Sequence, residues 1–241
     1  MTDLSITARA GLLGGLIAGA LALPALAGTF VAPRGCTAFL TVQQHGCVVS
    51  NHYRCDQDQP GDQWRADFNA NGPYFVSRID RETQWVESYD LSTREREVLQ
   101  AGAADPASFT DLLAKGYDAY DFSTVSDSGK LRHFTGHDRL TGETEVVDGV
   151  TLKQTEFEIT ARAEDGKMLW RSSGHEYVQP ELRLFLSGKG DWEDESGTSR
   201  FDNTPVRILK PGDTGFGATT PIFDCNTVMS SLRLPGGGEA Q

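Results

Sequence analysis

The chain has 241 residues, of which 34 are acidic and 22 are basic, so its formal net charge is −12 at pH 7. Such a chain lacks the basic face that releases counterions from phosphates, which argues against a nucleic-acid-binding protein. The same charge argues against electrostatic docking on anionic lipid.

Residues 1–27 have the pattern of an export signal. Arg9 precedes an apolar stretch at 10–26, and the Ala-Leu-Ala sequence at 25–27 matches the small-x-small pattern of a cleavage site. We predict cleavage after residue 27 and a periplasmic or secreted location. An uncleaved membrane anchor is the alternative, although the Gly- and Ala-rich stretch is short for a span. No later apolar run is long enough to cross a membrane.

Four cysteines in an exported chain favour disulfides over a metal site. They are Cys36, Cys47, Cys55 and Cys225. We prefer Cys47–Cys55 with Cys36–Cys225, which would join the two ends of the domain. Cys36–Cys55 with Cys47–Cys225 ranks second, because a two-residue turn at 45–46 would place Cys36–Cys55 at a hydrogen-bonded cross-strand position. Cys36–Cys47 with Cys55–Cys225 is the third alternative.

Residues 37–55 predict two strands. His45-x-Cys47 and His52-x-x-Cys55 within them have the spacing of zinc ligands. Cystines and two surface histidines explain the same residues in an oxidising compartment, so zinc is the weaker hypothesis.

Residues 56–67 resemble a calcium-binding loop, with Gly61 at the position where such loops turn sharply. Pro60 replaces an oxygen ligand, however, and a solvated turn explains these residues as well. We therefore expect no metal and no cofactor.

The segment from residue 64 to residue 99 predicts four strands joined by turns. Asn71-Gly72 is a hairpin signal, and the sequence 80–83 predicts a second turn. The predicted strands are 64–68, 74–79, 85–91 and 95–99.

One helix is predicted near 105–115. Asp105 is a suitable N-cap, Pro106 suits the first helical position, and Gly116 suits the end. The apolar side chains at 109, 112 and 113 form one stripe at helical spacing, which favours packing on a sheet over binding to a partner.

Consecutive antiparallel strands are predicted from Leu131 to Asp191, and their clearest signal lies in the middle of that stretch. Apolar and polar residues alternate from Thr155 to Ala163, which gives a strand with one buried face. A two-residue turn at Asp165-Gly166 would place Ala161 opposite Trp170 and Ala163 opposite Met168. The same register places Phe157 opposite Gly174, Glu156 opposite His175 and Thr160 opposite Arg171.

These patterns predict an all-β fold, mainly an antiparallel meander that forms a curved sheet, half-barrel or barrel, with one short helix. Alternating leucines at 182–186 and a short strand at 206–209 complete it. We assign one domain to residues 28–234 and a flexible tail to 235–241.

No motif in the chain names a reaction, and we predict a non-enzymatic protein. The first hypothesis is a carrier of an apolar small molecule or lipid in the concave sheet. Its candidate lining residues are Trp85, Phe157, Trp170, Leu184 and Phe185. The second is an interaction or structural module that binds a protein of the cell envelope. The weakest is a hydrolase that uses His137 with Glu158 or nearby groups.

Overall fold

The computed structural model describes residues 28–225. The predicted export signal at 1–27 and the predicted tail at 235–241 lie outside the described residues. Across the described part, no helix is both long and apolar enough to cross a membrane.

Thirteen strands of the described chain form one antiparallel sheet, in which β1 to β12 each pair with their sequence neighbours among them and β13 pairs with β1. The predicted all-β meander is therefore confirmed. The strands are β1 Cys36–Gln44, β2 Val48–Cys55, β3 Gln63–Asn69, β4 Gly72–Ile79, β5 Trp85–Asp90, β6 Glu95–Leu99, β7 Tyr117–Ser126, β8 Leu131–Val147, β9 Val150–Ala163, β10 Met168–Gln179, β11 Leu184–Asp194, β12 Gly197–Asp202 and β13 Pro205–Leu209.

The sheet curls until its two edges are joined by a short link, but it does not close. The edge strands β12 and β13 are consecutive in the chain and are not paired with each other. In the link between them, the N–H of Asn203 donates to the carbonyl of Gly188 at 2.7 Å, and the carbonyl of Thr204 accepts from the N–H of His45 at 3.0 Å. The link thus touches both ends of the curled sheet.

Apolar packing holds the curl in place. The largest buried cluster joins side chains of β1 and β13, namely Leu40, Val42 and Ile208, to side chains of β8–β11 that include Leu152 and Leu184. These strands lie far apart in the order of the sheet. Burial of such side chains contributes about 1.5–3 kcal/mol each, which favours the curled sheet over a flat one.

The central hairpin has a longer turn than the sequence predicts. Met168 lies opposite Arg162 rather than Ala163, and the N–H of Ala163 donates to the carbonyl of Lys167 at 2.9 Å. The loop therefore has three residues, with the glycine at its end in the left-handed conformation, as three-residue hairpins require. A bulge at Leu169 then restores the predicted register, so the pairs from Ala161–Trp170 to Glu156–His175 are confirmed.

The β1–β2 hairpin shows the same compensation. Gln44 pairs with Val48, so the loop is three residues long, and a bulge at Phe39 shifts the register back. Cys36 therefore lies opposite Cys55. Cys47 ends the loop with φ 60°, and its N–H donates to the carbonyl of Phe223 at 3.1 Å.

The disulfides are Cys36–Cys55 and Cys47–Cys225. The preferred sequence-based pairing is therefore wrong, and the second-ranked one is correct. The reason is that the segment after β13 returns along β1: the Gln43 side chain donates to the carbonyl of Thr220 and accepts from the N–H of Ile222, each at 3.1 Å. This places Cys225 beside Cys47.

Helix α1 spans Phe109–Lys115 and is capped by Ser108, whose hydroxyl accepts from the N–H of Asp111. The predicted N-cap at Asp105 is wrong, because the backbone of Asp105 forms an antiparallel bridge with Asp121 and stays extended. The predicted end at Gly116 is confirmed. Phe109 and Leu112 are buried against Val178 of β10, so the apolar stripe belongs to the core.

Three glycines allow β10 and β11 to approach closely. A Cβ atom would lie 2.2 Å from the carbonyl oxygen of Lys189 at Gly174, 2.1 Å from that of His175 at Gly188, and 2.2 Å from that of Ser173 at Gly190. Backbone atoms cannot move aside as side chains can, so only glycine fits these positions.

Substitution of Gly188 by alanine tests this close approach. We expect Gly188→Ala to lower the free energy of unfolding by about 3 kcal/mol, because overpacking against backbone must shift a strand. Gly129→Ala is the control: its Cβ meets nothing within 4 Å at φ 80°, so it should cost only about 1–2 kcal/mol of left-handed strain. Chemical denaturation with the disulfides intact measures both, and equal losses would contradict the argument.

The disulfide pairing gives a second prediction. The sequence separations are 19 residues for Cys36–Cys55 and 178 for Cys47–Cys225. The chain-entropy model then predicts losses of about 3 and about 5 kcal/mol when each pair is replaced by serines. Non-reducing peptide mapping should recover these two links, and a Cys36–Cys225 peptide would contradict the structure.

Candidate functional site

Two rows of side chains cross the interior face of β7–β10. The aromatic row contains Phe122, Phe134 and Trp170, which occupy facing positions on their strands together with Ala161. The same face carries Asp118, four residues before Phe122 on β7, and Asp138, four residues after Phe134 on β8. Since side chains two and four residues apart share a face of a strand, the sheet places carboxyl groups beside an aromatic surface.

Asp118 and Asp138 lie directly opposite each other, and each is only 9% exposed. Burial raises the pKa of Asp118 to about 6, although a hydrogen bond of 2.8 Å from the N–H of Ser108 opposes this shift. Burial also raises the pKa of Asp138 well above its ordinary value, and the charges of Glu176 and Asp118 raise it further. At neutral pH the facing pair holds a proton more readily than either group would in water.

Glu176 extends this group on β10, where it lies opposite Thr155 of β9. Burial raises the pKa of Glu176 to about 7, and the positive charge of Arg65 opposes that shift. Arg65 lies on β3, far from β10 in the order of the sheet, so the curl brings them near each other. We call Asp118, Asp138 and Glu176 the interior carboxyl cluster.

Tyr120 borders the interior carboxyl cluster, and Tyr74 lies near Arg65. Burial raises the pKa of Tyr120, and the charges of Asp138 and Glu176 raise it further. Burial raises the pKa of Tyr74 as well. Tyr74, Tyr120 and Glu176 nevertheless keep part of their surface accessible.

Two buried polar atoms near the interior carboxyl cluster have no hydrogen-bond partner in the described chain. They are Thr155 Oγ1 and His52 Nε2, in residues that are 0% and 4% exposed. Burial, followed by the charges of Arg65 and Arg54, lowers the pKa of His52 to about 3, so this imidazole is neutral. His52 is therefore not the surface histidine that the sequence suggested.

The cluster suits an organic cation better than a metal ion. Among residues 28–225 no three His, Cys, Asp or Glu side chains are arranged to hold a metal. Arg65 already pairs with Asp67, with Nε 3.0 Å from Oδ2. The cluster thus holds more acidic groups than it has positive partners. A buried ammonium or similar group would stabilise the ionised carboxyls.

The predicted lining residues are divided among three clusters. Trp85, Phe157 and Trp170 lie around the aromatic row. Leu184 is 1% exposed within the largest core cluster, and Phe185 packs on Phe109 of the helix, with ring centroids 5.6 Å apart. The structure therefore brings three of the five together, and their role in ligand binding stays a prediction.

No family model, curated protein or solved structure matches this chain. Its function must be argued from its own residues.

The predicted calcium-like loop uses its carboxylates for contacts within the protein. Asp58 accepts from the indole N–H of Trp64 at 2.6 Å, and Asp62 pairs with Arg78 at 2.8 Å. Asp67 accepts from the hydroxyl of Ser50 at 2.6 Å. These contacts explain the acidic residues without a cation.

Sequence reasoning missed the interior carboxyl cluster. Alternation along β8 does place Asp138 on the face opposite His137, as the sequence predicts. His137 lies opposite Glu158 and stacks on Tyr117, with centroids 5.5 Å apart. The missing signal was the register of β7, because only the pairing of Asp118 with Asp138 makes the face acidic.

The raised pKa of Glu176 predicts a pH-dependent stability. The folded protein favours the protonated form of Glu176. The stability that this protonation contributes is fully present below pH 4.5 and is lost as pH rises through about 7. Glu176→Gln should therefore stabilise the protein by on the order of 2 kcal/mol at pH 8 and by little at pH 4. Denaturant unfolding at both pH values measures this.

The matched control is Glu158→Gln, which removes a carboxylate from the outer face of the neighbouring strand. It corrects for the loss of one negative charge from an acidic protein. A Glu176→Gln gain at pH 8 no larger than that of the control would contradict the burial of Glu176.

Proposed function

We propose that this protein is exported and binds a small amphipathic molecule inside the curled sheet, with a cationic group of the ligand at the interior carboxyl cluster and its apolar body on the aromatic row. The observation that carries the proposal is the placement of Asp118, Asp138 and Glu176 beside that row. The sequence suggested any apolar small molecule or lipid, whereas this proposal requires a ligand with both an apolar body and a cationic group.

Export is supported by the sequence of residues 1–27 and by the cystines. The charged start, the apolar stretch and the small residues at 25–27 fit a secretory signal. Both disulfides would persist in an oxidising compartment and would be reduced in most cytosols.

A cationic group is favoured because the interior carboxyl cluster has more acidic groups than positive neighbours. Within residues 28–225, neither Asp138 nor Glu176 accepts a hydrogen bond, and Arg65, whose charge acts on Glu176, also pairs with Asp67. Keeping carboxyls buried and protonated costs stability at neutral pH. An ammonium group that replaces the protons would recover that stability, so the cluster favours a cation.

The apolar body is favoured by the aromatic row and its neighbours. The ring of Trp85 contacts the edges of Phe122 and Phe134 at centroid distances of 5.6 and 5.4 Å, yet Trp85 is 44% exposed. Trp170 stacks on Trp192 at 4.4 Å. An indole that packs on aromatic rings and is partly exposed offers a surface for a hydrocarbon chain.

Binding of octylamine and of octanol, which share an apolar chain and differ in charge, tests the proposal. We expect octylamine to bind at least tenfold more tightly than octanol at pH 8, with a change in tryptophan fluorescence or heat in calorimetry. The affinity for octylamine should fall by about tenfold or more at pH 5, because the carboxyls with raised pKa values are then protonated.

Asp138→Asn and Glu158→Gln are matched variants for this experiment. Asp138→Asn keeps the shape of the side chain and removes the interior charge, so it should weaken octylamine binding about tenfold while leaving octanol binding unchanged. Glu158→Gln should leave both unchanged. Equal affinities for the two probes would exclude a cationic site and return the ligand class to neutral apolar molecules. No binding of either probe would contradict the proposal.

A further inference from the structure

The outer face of β7 and β8 carries a second group of polar side chains, on the side of the sheet opposite the interior carboxyl cluster. The loop at residues 100–104 and these strands together line an open cavity of about 360 Å³. Asp121, Ser123 and His133 line the cavity together with the loop and Phe122. The side chains of Asp121 and His133 remain accessible there, as does Tyr117 on the same face.

Ser123, His133 and Asp121 form a connected triad. His133 Nδ1 is 3.2 Å from Ser123 Oγ, and its Nε2 is 3.4 Å from Asp121 Oδ1. Strand geometry produces this arrangement, because Ser123 lies opposite His133 and Asp121 lies two residues earlier on the same face. The tautomer with the proton on Nε2 leaves Nδ1 to accept from the Ser123 hydroxyl, and it places the protonated ring nitrogen 3.4 Å from the Asp121 carboxylate.

The loop at residues 100–104 lines the same cavity as the triad. It is anchored at both ends: the N–H of Gln100 donates to the carbonyl of Ser123 at 2.8 Å, and Asp105 and Asp121 exchange two backbone hydrogen bonds of 3.1 and 2.7 Å. Between these anchors, the backbone N–H groups of residues 101–104 have no acceptor within residues 28–225. Gly102 has φ 81°, so the loop turns sharply within the cavity wall.

We propose that Ser123, His133 and Asp121 form a nucleophilic site that hydrolyses a small carboxylic ester in this cavity. The three roles required are a hydroxyl nucleophile, a base in contact with it and a carboxylate that orients the base. Residues 101–104 line the same cavity and their N–H groups have no acceptor within residues 28–225, so they are the proposed donors to the oxyanion. Asp121 and His133 have side chains that are each 40% exposed, so water and an ester can reach the triad.

The reaction balances without a metal or a redox partner. Ser123 Oγ bonds to the carbonyl carbon as its proton passes to His133, and the carbonyl electron pair moves onto the oxyanion. The oxyanion collapses, the bond to the alkoxy oxygen breaks, and the alcohol leaves with the proton from His133. Water then attacks the acyl-serine with His133 as base, which releases a carboxylic acid and restores Ser123.

Labelling with a fluorophosphonate, followed by peptide mapping, is the direct test because it identifies the reactive serine. We expect labelling at Ser123, loss of labelling in Ser123→Ala and His133→Ala, and at least a hundredfold loss of p-nitrophenyl butyrate hydrolysis in both variants. Asp121→Asn should reduce hydrolysis at least tenfold and change its pH profile, because the orientation of His133 is lost.

His137→Ala is the matched control, since His137 lies on the same strand and face but outside the cavity. It should retain labelling and hydrolysis within twofold of the parent protein. Labelling at another serine, no labelling at all, or unchanged hydrolysis in Ser123→Ala would each overturn the proposal. Circular dichroism of every variant separates loss of chemistry from loss of folding.

Discussion

The close approach of β10 and β11 at Gly174, Gly188 and Gly190 is the constraint on which the rest of the structure depends. A Cβ atom at any of these positions would overlap a backbone oxygen of the neighbouring strand. In the curled sheet, side chains of β8–β11 pack with those of β1 and β13 in one apolar core. The same bend brings Arg65 of β3 near Glu176 of β10, so the interior site is a consequence of the curl.

The interior carboxyl cluster lowers the stability that the apolar core provides. A sheet that only needed to be stable would fill the positions of Asp118, Asp138 and Glu176 with apolar side chains, as it does at Phe134 and Ile159. Buried acidic groups with raised pKa values are common at sites that bind or react. The large apolar cluster includes side chains of β8 and β10, the strands that carry Asp138 and Glu176, and its burial offsets part of this cost.

The two faces of β7 and β8 have separate chemistry because alternate side chains point in opposite directions. Even-numbered residues of β7, such as Asp118 and Phe122, face the interior, whereas Asp121 and Ser123 lie on the opposite face. Phe122 belongs to the aromatic row and also lines the cavity beside the loop at 100–104, so the two sites share this residue. The Asp105–Asp121 bridge that displaced the helix start also anchors this loop, so one backbone contact shapes both features.

The sequence by itself determined the local elements: the meander, the end of the helix at Gly116, and the register from Ala161–Trp170 onward all follow from alternation and turn chemistry. It did not determine loop lengths of two or three residues, because a bulge at Phe39 or Leu169 compensates for the extra residue. Only the tertiary structure decided the disulfide pairing and the two sites. Contacts between distant segments join Cys47 to Cys225, place Asp138 near Glu176 and place Ser123 beside the loop at 100–104. A pattern along one strand carries no information about such contacts.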